Sequence, residues 1–199
     1  MIKNKYISTI FLKSVKKMIL SKKNNRMDVA FSGYSNSGKS TAINLLSNQK
    51  KLARTSKKPG STKTINLFQV DFKRYLIDLP GYGYSKTSKK TQLELRDIVF
   101  YYLKNCFHLK GLIIFMDIRH PLKKIDYEII NLVNKNNIPI AIFLTKSDKI
   151  SKNLKLKTIK YVNKTISLSN KNILVYTFSK YCSGSLLSLL NVVSKWHQF

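Results

Sequence analysis

The chain has 199 residues, with 37 Lys and Arg against 9 Asp and Glu, so its formal net charge at pH 7 is +28. This length suits one domain that buries about 70% of the surface of the unfolded chain. No apolar run approaches the ~20 residues needed to span a bilayer, so we predict no transmembrane segment. The apolar stretch Ile7–Leu12 is too short, and too soon followed by Lys13, for a secretion signal.

The first 26 residues read as a basic N-terminal extension packed on the main domain, which we place at residues 27–199. We prefer an edge element for this extension. The alternative is a basic amphipathic helix on a membrane surface, because four apolar residues fall at helical spacing. These residues are Ile7, Phe11, Val15 and Met18.

A phosphate-binding loop is the clearest motif of the chain. The segment Gly33-Tyr34-Ser35-Asn36-Ser37-Gly38-Lys39-Ser40 fits G-x-x-x-x-G-K-[S/T] at every position. The apolar run Met27–Phe31 predicts a strand before it, and Thr41–Asn48, which lacks Gly and Pro, predicts a helix after it. In such a loop the backbone N–H groups point at phosphate, Lys39 reaches the outer phosphates and the Ser40 hydroxyl can ligate Mg²⁺. The motif predicts nucleoside triphosphate binding.

A basic loop of about fifteen residues, Lys50–Thr64, follows that helix and lacks apolar periodicity. Loops of this length are usually functional or disordered. We expect Thr62 to place a second hydroxyl on Mg²⁺ when the γ-phosphate is present, and spacing alone leaves Thr64 as a competitor. The residues at the end of this loop are Gly60, Ser61, Thr62, Lys63 and Thr64.

The next two strands must be antiparallel. Ile65–Asp71 and Tyr75–Asp78 are joined by only three residues, whereas a parallel connection needs a dozen or more. The second strand delivers Asp78 to the carboxyl edge of the sheet, where ligands of open α/β sheets bind. We expect Asp78 to hold the Mg²⁺ shell through water. Gly81, which follows Leu79 and Pro80, can offer its N–H to the γ-phosphate.

The segment Thr145-Lys146-Ser147-Asp148 indicates the base, because it follows a buried strand at Ile138–Leu144. The Asp148 carboxylate can accept hydrogen bonds from N1–H and the 2-amino group of guanine, and adenine offers no such pair of donors. A site of this kind can reject the wrong base by ~10⁴-fold. We expect the stem of Lys146 to lie over the base while its ammonium reaches the phosphate loop.

The alternation of strand-like and helix-like segments predicts an α/β fold. We expect a mostly parallel sheet of six or seven strands, with one antiparallel pair and helices on both faces. The last strand, Ile173–Tyr176, is followed by Thr177, Phe178 and Ser179, and the Ser179 N–H could meet O6 of guanine. Further helices are predicted at Thr91–Asn105, Leu122–Asn136, Ser151–Thr165 and Ser185–Trp196, the last with a core-facing stripe of Leu186, Leu189, Leu190, Val193 and Trp196.

Cysteine and histidine give no sign of a metal centre. Cys106 and Cys182 are the only cysteines, and neither stands at metal-ligand spacing from the three histidines. We expect both thiols to be buried and unpaired in a reducing cytosol. His120 and His197 are interpreted as ordinary polar residues.

In these motifs the chain resembles the EngB-type ribosome-biogenesis GTP-binding proteins, within the Era-like group of P-loop GTPases. The resemblance runs from about Asp28 to the last helix. Its most specific part is the run Gly81-Tyr82-Gly83-Tyr84. The other segments that carry it are Gly33–Ser40, Pro59–Thr62, Asp78–Gly81, Asp117–His120 and Thr145–Lys149.

The resemblance implies binding of GTP or GDP with Mg²⁺, slow GTP hydrolysis, and a switch role in assembly of the large ribosomal subunit, with a link to cell division and septation. It favours Thr62 over Thr64 as the Mg²⁺ ligand, and it implies catalytic roles for Lys39, Thr62 and Gly81. We place the nucleotide against residues 33–41, 60–64, 78–81, 145–148 and 177–179. Tyr34 and Ser61 depart from the family pattern, which usually has arginine at these positions.

Tyr82 stands where Ras-type proteins carry a water-orienting glutamine. A phenol cannot reproduce the geometry of that amide, so we expect low intrinsic turnover. Our hypothesis is that a partner supplies what is missing, or a K⁺ ion held near Asn36, which resembles the asparagine of potassium-activated relatives.

The cation excess favours a polyanionic partner, which the resemblance identifies as ribosomal RNA in a precursor of the large subunit. The ratio of 32 Lys to 5 Arg also fits a genome rich in A and T codons. We expect RNA contacts from Lys50–Lys63 and Lys86–Lys90, and packing rather than base stacking for Phe100-Tyr101-Tyr102. The protein is expected to be a cytoplasmic monomer. The alternatives are a non-catalytic GTP-dependent scaffold at the membrane or division site, and a P-loop ATPase or kinase.

Overall fold

Seven strands of the chain form a single sheet. The computed structural model describes residues 5–16, 25–54, 64–83, 88–167 and 173–199. Within these ranges the strand order across the sheet is β1-β3-β4-β2-β5-β6-β7. The strands are β1 (Ile10–Val15), β2 (Met27–Gly33), β3 (Ile65–Gln69), β4 (Arg74–Asp78), β5 (Leu109–Asp117), β6 (Ile140–Thr145) and β7 (Leu174–Thr177).

Five helices cover the two faces of the sheet in the described part of the chain. Their bounds differ by at most two residues from those predicted, because caps and neighbouring elements rather than periodicity decide where a helix ends. They are α1 (Lys39–Leu46), α2 (Lys89–Asn105), α3 (Lys124–Asn134), α4 (Lys152–Ser167) and α5 (Ser183–Trp196), and one 3₁₀ turn spans Ser147–Lys149.

The sheet is mostly parallel, as predicted. β2 pairs in parallel with β4 and β5, and the parallel order continues to β6 and β7. The antiparallel pair that the short connection required is confirmed as β3 and β4. A second antiparallel pairing, between β1 and β3, forms one edge of the sheet.

The central strands are buried on both faces because helices cover both sides of a parallel sheet. Val29, Ala30 and Phe31 of β2 are fully buried. One core lies under α2, α3 and α4, and the other lies under α1 and α5. This construction leaves the carboxyl edge of the sheet as the place where the predicted motifs meet.

Residues near the N-terminus extend the sheet. Residues 10–15 are a strand, so the amphipathic-helix alternative is wrong there: the backbone pairs with β3 instead. Tyr6, just before this strand, is buried. The boundary at residue 26 between an extension and a domain stays a prediction.

Two side-chain assignments were wrong. Cys106 is buried as expected, but Cys182 is exposed because it caps the solvent-facing start of α5. His197 is fully buried rather than an ordinary polar residue, since the end of α5 packs it against Tyr6. On α5 itself, Leu189, Val193 and Trp196 are buried as predicted, whereas Leu186 and Leu190 are only half-buried.

None of the helices in the described ranges is long and apolar enough to cross a membrane. Of the aromatic run at 100–102, Tyr102 packs in the core and donates a hydrogen bond to Asp28 Oδ2 at 3.1 Å. Tyr101 is exposed and Phe100 is half-buried. Packing rather than RNA contact therefore explains Tyr102.

Candidate nucleotide-binding site

The phosphate loop and the predicted guanine loop lie side by side at the carboxyl edge of the sheet. A Cβ added to Gly38 would lie 3.5 Å from the Thr145 side chain. The third predicted segment joins them there, because the Phe178 N–H donates to the Leu144 carbonyl at 2.8 Å and the Ser147 N–H donates to the Phe178 carbonyl at 3.3 Å. One ligand of nucleotide size can therefore reach all three segments.

Lys39 lies buried inside the phosphate loop. Gly33 and Gly38 have φ angles of +144° and +105°, and the loop curls between them ahead of α1. The Lys39 ammonium donates to the carbonyls of Gly33, at 3.1 Å, and Tyr34, at 3.3 Å. Burial lowers the pKa of Lys39, although the Asp78 carboxylate opposes that shift. A phosphate group would give this buried cation an anionic partner.

Asp78 is the acid at the centre of the site. It is buried at the end of β4, and the Ser40 hydroxyl donates to its Oδ2 at 3.5 Å. Burial raises the pKa of Asp78, while Lys39, Asn66 and Ser40 act to lower it. Within the described residues, Asp78 Oδ1 has no hydrogen-bond partner. A buried carboxylate oxygen without a donor suits a cation or its bound water, and these oxygen donors are the kind that Mg²⁺ prefers.

The structure describes only part of the two basic segments that were predicted to contact phosphate, Mg²⁺ or RNA. Gly60, Ser61, Thr62 and Lys63 lie outside the described residues, as do residues 86 and 87 of the predicted basic segment 86–90. Lys89 and Lys90 of that segment begin α2 and are exposed. Thr64 is described, and its hydroxyl donates to Asn66 Oδ1 at 3.5 Å. The choice between Thr62 and Thr64 as a Mg²⁺ ligand stays a prediction.

Gly81 packs directly on the phosphate loop. A Cβ at this position would lie 2.8 Å from Ser35 Cα and 3.1 Å from Lys39 Nζ, so only glycine fits without a shift. The next carbonyl, of Tyr82, accepts a hydrogen bond from the Ser35 N–H at 3.0 Å. Gly81 therefore stands beside Lys39, the lysine predicted to reach the outer phosphates.

The Tyr82 side chain turns into the core, where its ring packs edge-on against Tyr34 of the phosphate loop with the ring centroids 4.9 Å apart. The Tyr82 side chain is fully buried, and its hydroxyl donates to Asp126 Oδ1 of α3 at 3.0 Å. The other oxygen of Asp126 accepts from the Lys123 N–H at 2.9 Å, and burial raises the pKa of Asp126 to about 6. Sequence reasoning missed Asp126, whose only local signal is an acid in the first turn of a helix.

The predicted base-binding side chains are in contact with each other. Asp148 Oδ1 accepts a hydrogen bond from the Ser179 hydroxyl at 2.8 Å, and this bond lowers the pKa of Asp148. The Ser179 N–H, predicted to meet O6 of guanine, donates to the Ser185 hydroxyl at 3.1 Å. Ser185 was not predicted, and its position after a Ser-rich turn gave no signal.

The ammonium of Lys146 does not reach the phosphate loop, contrary to expectation. It pairs with Asp117 Oδ2 at 3.0 Å, because Asp117 ends the neighbouring strand β5. Arg119 binds the same carboxylate at 2.6 Å. Burial acts to raise the pKa of Asp117, but the hydrogen bonds from Arg119 and Lys146 outweigh it and hold the pKa well below its usual range. Asp117 thus holds Lys146 beside the predicted base site.

Comparison with known proteins identifies the chain's relatives. Residues 28–146 match the model of a family described as the 50S ribosome-binding GTPases. A protein of Buchnera aphidicola subsp. Baizongia pistaciae, described as a probable GTP-binding protein EngB, is 43% identical over 192 residues, which cover 96% of this chain and 84% of the relative. A Coxiella burnetii relative of the same description is 44% identical over 169 residues, which cover 85% of this chain and 82% of the relative.

The chain belongs to the EngB family of GTP-binding proteins. Solved structures agree on the fold: a crystal structure described as a probable GTP-binding protein EngB superposes with a TM-score of 0.70 at 22% identity, covering 86% of this chain and 98% of that one. Era in complex with MgGDPNP and 16S ribosomal RNA superposes with a TM-score of 0.65 at 21% identity, covering 87% of this chain and 57% of Era. The EngB relationship, the P-loop GTPase fold and guanine-nucleotide binding predicted from the motifs are confirmed.

Proposed function

We propose that this EngB protein is a GTP-driven switch that hydrolyses GTP slowly and acts in assembly of the large ribosomal subunit in the cytoplasm, with a link to cell division and septation. The observation that carries the proposal is the meeting of Lys39, Asp78 and Asp148 at one edge of the sheet. A buried cation, an unsatisfied carboxylate oxygen and a base-reading carboxylate match the three parts of a GTP–Mg²⁺ ligand.

Hydrolysis by this site would rest on positioning and charge stabilisation. Lys39 would neutralise charge on the outer phosphates, and the Gly81 N–H would hold the γ-phosphate. Ser40, Asp78 and Thr62 would hold Mg²⁺, Asp78 through water, and the bound metal would supply further neutralisation of phosphate charge. Each of these groups binds or orients, and none has to transfer a proton.

Slow turnover is supported by the direction of Tyr82. Its hydroxyl is engaged by Asp126 inside the core, so no side chain at this position orients the attacking water. We propose that K⁺ near Asn36, or the ribosomal partner, compensates. Rates of GTP hydrolysis measured in K⁺ and Na⁺ buffers, for the wild type and Asn36→Ala, test the cation: equal rates throughout would exclude it.

The nucleotide assignment is tested by competition. Calorimetry with GDP, GTP and ATP should show binding of the guanine nucleotides only, and Lys39→Ala should abolish it. Preference for ATP would instead indicate a P-loop ATPase or kinase. Binding of GTP without turnover, even with ribosomal particles, would indicate a scaffold.

The ribosomal role is tested by sedimentation of the protein with large-subunit precursor particles. We expect co-sedimentation with a non-hydrolysable GTP analogue and release with GDP. Equal sedimentation in both nucleotide states would contradict a switch, and no sedimentation in either would contradict the ribosomal partner.

A further inference from the structure

Helix α4 carries a strip of lysines on its outermost face. At about 100° per residue, Lys157, Lys160 and Lys164 fall within about 60° of one another. Val162 and Ile166, the buried residues of this helix, lie on the opposite side. All three lysines are exposed. The strip therefore faces outward from the sheet.

This strip is not neutralised by the protein's own acids. Asp148 is the last acidic residue of the chain, and residues 149–199 contain nine lysines and no Asp or Glu. In the described ranges the ion pairs join other residues, and none of them includes a lysine of α4. A partner that covers this face would therefore have to supply the negative charge that pairs with the lysines.

Exposed apolar side chains flank the strip on both sides. Tyr161 and Leu154 lie along one flank and are 55% and 48% exposed, and Leu156 lies along the other at 59%. Burial raises the pKa of Tyr127 on α3 and the neighbouring Tyr161 raises it further, which places a second aromatic ring at the same border. α4 buries two side chains in 16 residues, whereas α3 buries four in 11.

The arrangement distinguishes RNA from a lipid surface. A membrane-surface helix presents one continuous apolar face to the lipid, with the cations behind it. Here the lysines stand in the middle of the exposed face, and the apolar groups are split between its two borders. Lysines in a row with an aromatic ring beside them suit a single strand, whose phosphates pair with the cations while a base stacks on the ring.

We propose that the outer face of α4, formed by Lys157, Lys160, Lys164 and Tyr161, is a docking surface for single-stranded RNA. The inference rests on the proposed ribosomal function and locates its RNA contact on a face separate from the phosphate loop. It adds a third basic region to the two predicted from sequence, at Lys50–Lys63 and Lys86–Lys90.

The test compares two charge-matched triple variants of the full chain. Lys157→Gln, Lys160→Gln and Lys164→Gln remove the strip, and Lys104→Gln, Lys110→Gln and Lys135→Gln remove three exposed lysines elsewhere. Binding of a fluorescein-labelled 20-nucleotide oligouridylate is measured by anisotropy between 50 and 300 mM KCl, on the order of the range in which counterion release is strong.

We expect the α4 variant to lose roughly 10- to 100-fold in affinity for the RNA at low salt. Its slope of log K against log salt should become shallower by about 2, because each of the three lost phosphate contacts contributes about 0.7 to the slope. The control variant should lose less than about threefold. Tyr161→Leu should weaken binding by roughly tenfold with little change of slope, because base stacking is not a charge effect. Circular dichroism and GDP affinity should match the wild type in all variants.

Equal losses in the two triple variants would overturn the proposal, since they would show that total charge alone binds RNA. Unchanged RNA binding with lost binding to phosphatidylglycerol vesicles would overturn it in favour of a membrane surface. If the wild type bound neither GDP nor GTP, the proposed function would be wrong. The RNA-binding measurement would still test the α4 proposal separately, because it does not depend on nucleotide.

Discussion

Three carboxylates of this acid-poor chain lie at the candidate nucleotide site. Asp78 ends β4, Asp117 ends β5, and Asp148 lies in the turn that follows β6. Asp117 pairs with the Lys146 ammonium, whereas Asp78 and Asp148 accept hydrogen bonds from serine hydroxyls. Asp126 lies one layer behind them and holds Tyr82. Because so few other acids are nearby to compensate, the role of each carboxylate can be tested by a single substitution.

Asp148→Asn should move the base preference from guanine to xanthine. The amide can donate to the 2-oxo group of xanthine, but it cannot accept from both N–H groups of guanine, so GTP affinity should fall by roughly 10³-fold or more. Competition calorimetry with GTP and XTP measures the change. Lys149→Gln, which alters charge beside the site and leaves Asp148 in place, is the control. Unaltered GTP affinity in Asp148→Asn would defeat the base assignment.

Tyr82→Phe should weaken the fold without removing hydrolysis. Loss of the hydroxyl leaves Asp126 Oδ1 buried and without its donor, which costs about 1–3 kcal/mol in the free energy of unfolding. Urea denaturation measures this loss, and Tyr101→Phe, at an exposed position, serves as the comparison. A variant that keeps its stability and loses GTP hydrolysis would show that the phenol takes part in the chemistry.

At the scale of whole elements, the two ends of the described chain are joined by one buried imidazole. His197 follows α5, and its Nδ1 accepts a hydrogen bond from the Tyr6 hydroxyl at 3.1 Å. Its Nε2 donates to the Tyr75 carbonyl of β4 at 3.3 Å. A carbonyl can only accept, so the Nε2 that faces it carries a proton, and in the neutral ring Nδ1 is then left to accept from Tyr6. Burial lowers the pKa of His197 to about 4.

This clasp should make the wild type sensitive to acid. The folded state binds the His197 proton more weakly than the unfolded state, so this contribution to stability is complete above about pH 6.5 and is lost as pH falls toward 4. His197→Gln keeps one donor and one acceptor and does not titrate. Denaturation of both proteins at pH 7 and pH 4.5 should show the stability advantage of the wild type shrinking by about 2 kcal/mol.

The comparison with the variant is needed because Asp126 titrates in the opposite direction. Its folded pKa of about 6 lies above the ordinary value, so it adds stability as pH falls through 6 toward 4. Asp126 is common to both proteins and cancels in the difference. An advantage that stays constant from pH 7 to pH 4.5 would show that His197 is not buried in its neutral form.

Local pattern predicted some of these elements and not others, for a physical reason. The Gly33–Ser40 loop, the antiparallel β3–β4 pair and the strands that precede Asp78 and Thr145 follow from spacing within a few residues of chain. The His197 clasp joins positions 191 residues apart, and the Tyr82–Asp126 pair joins positions 44 apart. Such contacts depend on which helices pack over which strands. The periodicity of a single segment does not indicate its packing partner, so these contacts could not be predicted from it.

For the whole molecule, nucleotide and Mg²⁺ should act as stabilisers, because phosphate would give buried Lys39 an anionic partner and the metal or its water would satisfy Asp78 Oδ1. At a GDP concentration of 100 times Kd, stability should rise by about 2.7 kcal/mol, or roughly 5–10 °C in Tm for a chain of this size. Differential scanning fluorimetry measures the shift. EDTA should reduce it, and Lys39→Ala should show none; an equal shift with EDTA would argue against a metal held by Asp78.

The exposed edge of the sheet affects how copies of the protein meet in solution. β1 leaves one side of its backbone unpaired in the described structure, with the apolar side chains of Ile10, Phe11 and Leu12 exposed beside it. Such an edge can pair with another chain. A net charge of +28 opposes that approach only over the Debye length, which falls from about 10 Å at 0.1 M salt to about 3 Å at 1 M. High salt, often used to strip nucleic acid from basic proteins, should therefore favour strand-to-strand self-association of this one.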